Sequence, residues 1–163
     1  MSRPAPKVLQ RVRALVLDVD GVLTDGGMYY GPSGEGLKRF NVKDGMGLRL
    51  VIESGITVAL ISAESSEILR RRAEKLQIVD IFVGVEDKLA TLEGFLAAKK
   101  IPLSDAAYMG DDLNDLPPLT MVGLPIAPAD AVPQVRKAAK WVTSRRGGDA
   151  AVREVCDALI DAR

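Results

Sequence analysis

The chain has 163 residues, its 22 basic and 22 acidic side chains cancel, and it contains no histidine. A balanced charge offers nucleic acid or an anionic membrane surface little to bind, and without histidine there is no Ser/His/Asp or Cys/His triad and no imidazole zinc site. Hydrophobic residues make up 47% and aromatics only 4%, enough for one domain, 1–163, with a mainly aliphatic core. The lone cysteine, Cys156, cannot form an internal disulfide, and its helical context points to core packing in a reducing compartment. No apolar run approaches transmembrane length, and residues Met1 to Lys7 lack the apolar stretch of a signal peptide, so a cytoplasmic location is expected.

From Ala14 an apolar run reads as a buried parallel strand closing on Asp18 and Asp20. Residues 26–41 read as a β-hairpin turning near Pro32-Ser33-Gly34, with Met28, Tyr29 and Tyr30 exposed. Then β and α patterns alternate. A helix ends over Leu48 to Ser54, and Ile56 to Ser62 is a buried strand. Ser66 to Leu76 is helical, Ile81 to Val83 a short strand, and Lys88 to Lys99 a helix. Ala106 to Met109 and Val122 to Ile126 are strands, and Val132 to Ala139 is a helix. Trp141 to Thr143 is a last strand and Ala150 to Ala162 a closing helix. Prolines at 117–118, 125, 128 and 133 read as loop punctuation. The alternation predicts the α/β class, a doubly wound, Rossmann-like parallel sheet, with the hairpin as its one insertion.

Such a sheet delivers the carboxyl ends of its strands into one crevice. Asp18 and Asp20 would meet there the acidic run Gly110-Asp111-Asp112-Leu113-Asn114-Asp115, which follows another strand. Carboxylates this close repel unless a cation or a proton compensates. A set of oxygen donors with no nitrogen or sulfur suits Mg²⁺. Asp112 or Asp115 is expected to cap the helix that follows. Ser62 ends the second strand, where a hydroxyl and backbone N–H groups at a strand-to-helix turn make an anion seat. Lys88 opens a helix and can cancel charge in the crevice while clamping a phosphoryl oxygen. Together these residues specify phosphoryl transfer. Asp18 is the nucleophile that forms an aspartyl-phosphate, Asp20 the general acid and then base, and Mg²⁺, Lys88 and Ser62 neutralise charge on the phosphoryl oxygens.

In this order the four motifs (Asp18-Val19-Asp20-Gly21-Val22-Leu23-Thr24, Ser62, Lys88 and Gly110 to Asp115) resemble the haloacid dehalogenase superfamily of phosphatases. The resemblance implies that Asp20 also lends a backbone carbonyl to the metal, so that Asp18, Asp20 and Asp111 form the metal set. The hairpin, Phe40-Asn41-Val42-Lys43-Asp44-Gly45-Met46-Gly47 and the tail from Arg146-Gly147-Gly148 to Arg153-Glu154 resemble its capless, tetrameric subfamily. That likeness implies no cap domain, hairpins packed together in a homotetramer, and active sites completed by a neighbouring subunit. It also implies that Asn41, Val42, Lys43, Asp44 and Gly45 touch the substrate, a 3-deoxy-2-keto sugar acid phosphorylated at its terminal carbon.

The residues after Ser62 set the expected substrate. Members acting on 3-deoxy-D-manno-octulosonate (KDO) 8-phosphate typically show Gly-Arg there, whereas this chain has Ala63-Glu64. Glu64 with Lys75 resembles the branch acting on 2-keto-3-deoxynononate (KDN) 9-phosphate, so a nine-carbon substrate (KDN 9-phosphate or an N-acylneuraminate 9-phosphate) is expected ahead of KDO 8-phosphate. Arg72 and Lys75 share a helix face, and Arg49 on the preceding helix can bind a carboxylate bidentately. Two readings stay open beside this one: a phospho-aspartate signalling domain and a catalytically silent oligomerisation module. A signalling domain carries its phosphorylated Asp alone after the third strand, unlike the pair here.

Overall fold

The computed structural model describes residues 3–32 and 34–163; Ser33, in the expected hairpin turn, and the first two residues lie outside them. In chain order the elements are α1 (Pro6–Gln10), β1 (Ala14–Leu17), β2 (Tyr29–Gly31), β3 (Gly34–Leu37), α2 (Val42–Glu53), β4 (Thr57–Ile61), α3 (Glu67–Leu76) and β5 (Asp80–Phe82). There follow α4 (Lys88–Lys99), β6 (Ala106–Met109), α5 (Leu116–Met121), β7 (Leu124–Ala127), α6 (Pro133–Ala138), β8 (Trp141–Val142) and α7 (Ala151–Asp161). Single 3-10 turns, Leu103–Asp105 and Leu113–Asp115, precede β6 and α5.

Six strands form one parallel sheet in the order β5-β4-β1-β6-β7-β8, and β2 and β3 form a separate antiparallel ribbon. β1 pairs on one side with β4 and on the other with β6. The chain therefore leaves β1 toward one edge and returns to build the other, which opens a crevice beyond the carboxyl ends of β1, β4 and β6. All four residues of β1 are buried, and they alternate between two cores. Leu15 and Leu17 pack with Leu48, Val51, Leu69 and Val155 on the side of α2, α3 and α7, whereas Ala14 and Val16 pack with Leu92, Leu96 and Leu119 on the side of α4 and α5. A strand buried on both faces cannot slip register without exchanging its large and small side chains between two filled layers.

The helices begin where side chains can take up free backbone N–H groups. Asn41 accepts from the N–H of Lys43 at the start of α2, Ser66 from that of Leu69 at α3, and Asp87 from that of Ala90 at α4. The expected elements are present, with ends moved by one or two residues, and two short helices join them. Pro6 starts α1, and Pro117-Pro118 occupy the first turn of α5 rather than a loop. Proline is tolerated at a helix start because the N–H it lacks would have no intrahelical partner there.

α2 and α7 approach closely because Gly47 has no side chain: a Cβ there would lie 2.9 Å from the Cβ of Cys156. Asp44, expected to touch substrate, is instead only 1% exposed and serves this helix pair. Its Oδ1 accepts a 2.7 Å bond from the N–H of Arg153 in the first turn of α7. Ala150, which precedes α7, has no side chain able to cap it. Burial, opposed by the backbone N–H groups of Arg153 and Ala150, holds the Asp44 carboxyl above its ordinary pKa. Asp44→Ala should therefore cost about 0.5–2 kcal/mol, the usual worth of a helix cap, read as a lower urea midpoint. An unchanged midpoint would show that α7 does not need this cap.

Candidate active site

Three of the expected residues are each the first or second residue beyond a strand and are still held by the sheet. The N–H of Asp18 donates to Met109 O at 2.9 Å, that of Ser62 to Phe82 O at 2.9 Å, and that of Gly110, just before Asp111, to Ile126 O at 3.2 Å. Gly21 adopts φ +87°, and a Cβ on it would overlap the Asp111 carboxylate, so only glycine lets these two loops meet. Asp18, Asp20, Ser62, Lys88 and Asp111 line one open crevice of about 180 Å³, with Ala63, Glu64, Asp112 and Asn114 beside them.

Lys88 is the first residue of α4, is 3% exposed, and points its ammonium between two carboxylates. Its Nζ lies 2.9 Å from Asp18 Oδ1 and 2.8 Å from Asp115 Oδ1. Burial pulls the Lys88 pKa down, but the carboxylates of Asp18 and Asp115 more than offset it, so the group stays charged. Asp115 was expected only as a cap. It does close a capping box with Asp112, yet its fully buried carboxylate also takes four hydrogen bonds beneath the crevice. Oδ1 accepts from Lys88 and from the Tyr108 hydroxyl at 2.8 Å, and Oδ2 from the N–H groups of Asp111 (3.0 Å) and Asp112 (3.3 Å). Gly110 makes room for it, since a Cβ there would come within 2.4 Å of Asp115 Cγ. Burial first, then the charges of Asp115 and Asp18, hold the Tyr108 hydroxyl protonated as a donor. Nothing in the sequence pattern singled out Tyr108, because its role comes from strand register.

Burial, then repulsion from Asp115, raises the Asp18 pKa to about 6 against the pull of Lys88. Burial, then the charges of Asp18 and Asp115, raises that of Asp111 to about 8. One carboxylate oxygen each from Asp18, Asp111 and Asp115 lies within 4.8 Å of the others. With Asp115 saturated by four donors, Asp18 and Asp111 are the side chains that could hold a metal, and Asp111 Oδ1 is buried with no hydrogen-bond partner among the described residues. A buried, unpartnered carboxyl oxygen among oxygen donors fits a hard divalent cation, and Mg²⁺ is the cofactor such a set takes. The Asp20 carboxylate stands outside that group. Its Oδ1 accepts a 2.6 Å ion-paired bond from Lys38, at the end of the hairpin.

The other expected residues divide among separate places. Ser62 Oγ accepts from the N–H of Glu64 at 3.1 Å, which leaves its hydroxyl proton for a ligand. Glu64 lines the crevice, but Lys75 does not. Lys75 lines a second cavity of about 200 Å³ with Val42, Gly45, Arg49 and Arg72, so within one chain the expected Glu64/Lys75 pair does not converge on one ligand. Arg72 there donates to Asn41 O at 3.3 Å and lies 5.5 Å from the Phe40 ring centre. Asn41 is tied to the tail through Gly148 O, and Lys43 lines a third cavity with Arg3, Arg145, Arg153, Glu154 and Asp157.

Residues 51–154 match the model of the haloacid dehalogenase-like hydrolases, and this chain belongs to that family. The 3-deoxy-D-manno-octulosonate 8-phosphate phosphatase of Yersinia pestis is 45% identical over 159 residues, which cover 96% of this chain and 85% of that protein. Its solved structure superposes with a TM-score of 0.94. The enzyme of the same name from Moraxella catarrhalis, solved with a magnesium ion, a phosphate ion and KDO, also reaches 0.94 at 38% identity, covering 97% of this chain and 91% of that one. The cobalt-bound deoxy-D-mannose-octulosonate 8-phosphate phosphatase of Haemophilus influenzae reaches 0.92 at 38% identity, covering 94% and 90%. The present chain is a phosphoric monoester hydrolase of this family, built without a separate cap domain.

Metal binding has a defined pH dependence. Both raised carboxyls carry protons in the metal-free fold that they lack when unfolded, so metal-free stability falls as pH rises from about 4 toward 8. A cation must displace those protons, so the rise in Tm caused by a fixed Mg²⁺ concentration should be larger at pH 8 than at pH 6. Asp111→Asn should abolish most of it. A Tm rise independent of pH, or one surviving in Asp111→Asn, would remove these carboxylates as the metal site.

Proposed function

We propose that this protein hydrolyses KDO 8-phosphate to KDO and inorganic phosphate. One observation carries the chemistry: a buried carboxylate, Asp18, stands against a buried ammonium and a second carboxylate with an orphaned oxygen, at the end of the central strand. In this reading Asp18 attacks phosphorus and becomes an aspartyl-phosphate. Lys88 and the Ser62 hydroxyl bind the non-reacting phosphoryl oxygens, while Asp115 and Tyr108 hold Lys88 in place. Asp20 gives a proton to the departing sugar oxygen and later takes one from the water that hydrolyses the intermediate. Asp18, Asp111 and the backbone carbonyl of Asp20 would hold Mg²⁺, which would supply charge neutralisation at the phosphoryl group.

The substrate reading draws on the named activity of the Yersinia pestis relative and its identity over nearly the whole chain. The relatives do not support the nine-carbon preference expected from Ala63-Glu64, and the separation of Glu64 from Lys75 weakens its structural basis.

A homotetramer fits the exposed hairpin, where Met28, Tyr29, Tyr30 and Leu37 are each 46–67% exposed and form an apolar surface suited to burial against copies of itself. Such packing would bring a neighbour's side chains to the crevice. A cytoplasmic setting fits the single, buried thiol of Cys156. Among the described residues no helix is long and apolar enough to cross a membrane.

Phosphate release from KDO 8-phosphate, KDN 9-phosphate, N-acetylneuraminate 9-phosphate and p-nitrophenyl phosphate, each with Mg²⁺ and with chelator, tests the reading. KDO 8-phosphate should lead in kcat/KM by about tenfold or more, a margin that a few specific contacts can supply. Asp18→Asn should lose about 10³-fold or more. Equal turnover of all four would overturn the substrate, and activity retained by Asp18→Asn or under chelator would overturn the mechanism.

A further inference from the structure

Lys38 lies outside the four motifs, on the segment that returns from the hairpin to the body of the protein. Its side chain is nevertheless 1% exposed, and its ammonium lies 2.6 Å from Asp20 Oδ1. Asp20 itself lines the crevice and is 27% exposed at its side chain, whereas the buried Lys38 is not among the residues that line it. A charge-assisted bond this short fixes one carboxylate oxygen, and Oδ2 is the oxygen left to exchange a proton.

The hairpin can deliver Lys38 because its base is knotted to the loop that carries Asp20. Thr24 bridges to Phe40, two residues beyond Lys38. The Thr24 hydroxyl accepts from the N–H groups of Gly21 (3.3 Å) and Gly26 (3.2 Å), and the N–H of Gly148 from the tail donates to Val22 O at 3.0 Å. Gly148 has to be glycine, since a Cβ on it would meet the backbone of Asp25 at 2.4 Å. Lys38 therefore reaches Asp20 from a braced segment although β2 and β3 themselves stand away from the core.

We infer that Lys38 is a positioning residue that holds the Asp20 carboxyl group aimed at the leaving-group oxygen, which makes the hairpin part of the catalytic apparatus. The inference rests on the reading of Asp20 as acid/base. In the step concerned, the Asp18 oxygen bonds to phosphorus, the bond from phosphorus to the sugar oxygen breaks, and that oxygen takes the Asp20 proton. An alkoxide needs the proton, whereas a p-nitrophenolate leaves without it. Because kcat/KM ends at leaving-group departure, its ratio between an alkyl and an aryl phosphate isolates the acid step.

The test compares wild type, Lys38→Met, Lys38→Arg and Asp20→Asn on KDO 8-phosphate and p-nitrophenyl phosphate. Lys38→Met should lower the alkyl-to-aryl ratio of kcat/KM by about 10- to 100-fold, part of what a general acid contributes. Asp20→Asn should lower it further, and adding Lys38→Met to Asp20→Asn should change it no more. Lys38→Arg, which keeps the donor, should recover most of the ratio. The Mg²⁺-induced rise in Tm should persist in Lys38→Met, which also reports that the variant folds; a variant that did not fold would be replaced by Lys38→Gln. Equal losses on both substrates, or an unchanged ratio, would overturn the role. If wild type ignores KDO 8-phosphate, the substrate reading fails alone, and the ratio is measured with the sugar phosphate it does hydrolyse.

Discussion

The charge cluster at the end of the central, fully buried strand is arranged around the ammonium of Lys88, held within 3 Å of both Asp18 and Asp115. Without that charge the strand would deliver carboxylates into a site with nothing to oppose them. With it, three carboxylates against one ammonium still leave two negative charges when all are ionised, which one divalent cation cancels. The raised carboxyls of Asp18 and Asp111 record the same shortfall as retained protons. Metal requirement and electrostatic strain are thus two descriptions of one deficit.

The division of labour among the acids follows from the donors each one meets. Asp115 is consumed by Lys88, Tyr108 and two backbone N–H groups, so it orients its neighbours and has no oxygen to spare. Asp18 shares one oxygen with Lys88, and Asp111 keeps a free one. Asp20 faces a different cation, Lys38, on a different element. Two aspartates two residues apart can therefore take different jobs, one inside the charge cluster and one beside it.

The sequence made part of this legible. Asp18, Ser62 and Asp111 were readable because each ends an apolar run, and parallel strands send such ends to one crevice. Lys88 was readable from its place at a helix start after Asp87. Asp115 was read as a cap, which it is, but its buried bonds depend on Gly110 leaving it room. Tyr108 and Lys38 were not singled out at all; they owe their roles to strand register and to the Thr24–Phe40 bridge respectively. Asp44 and the Glu64/Lys75 pair were assigned by motif position, and three-dimensional packing sends Asp44 to α7 and Lys75 to another cavity. Local pattern located strand ends; it carried no information on which side chain folds back behind them.

The central claim, that one cation replaces the protons held by buried carboxylates, is tested most directly by calorimetric titration of the metal-free protein with Mg²⁺ at pH 7, in buffers of different ionisation enthalpy. Release of about one proton per Mg²⁺ bound is the predicted result, and it should vanish in Asp111→Asn. Mg²⁺ binding with no proton release would contradict it.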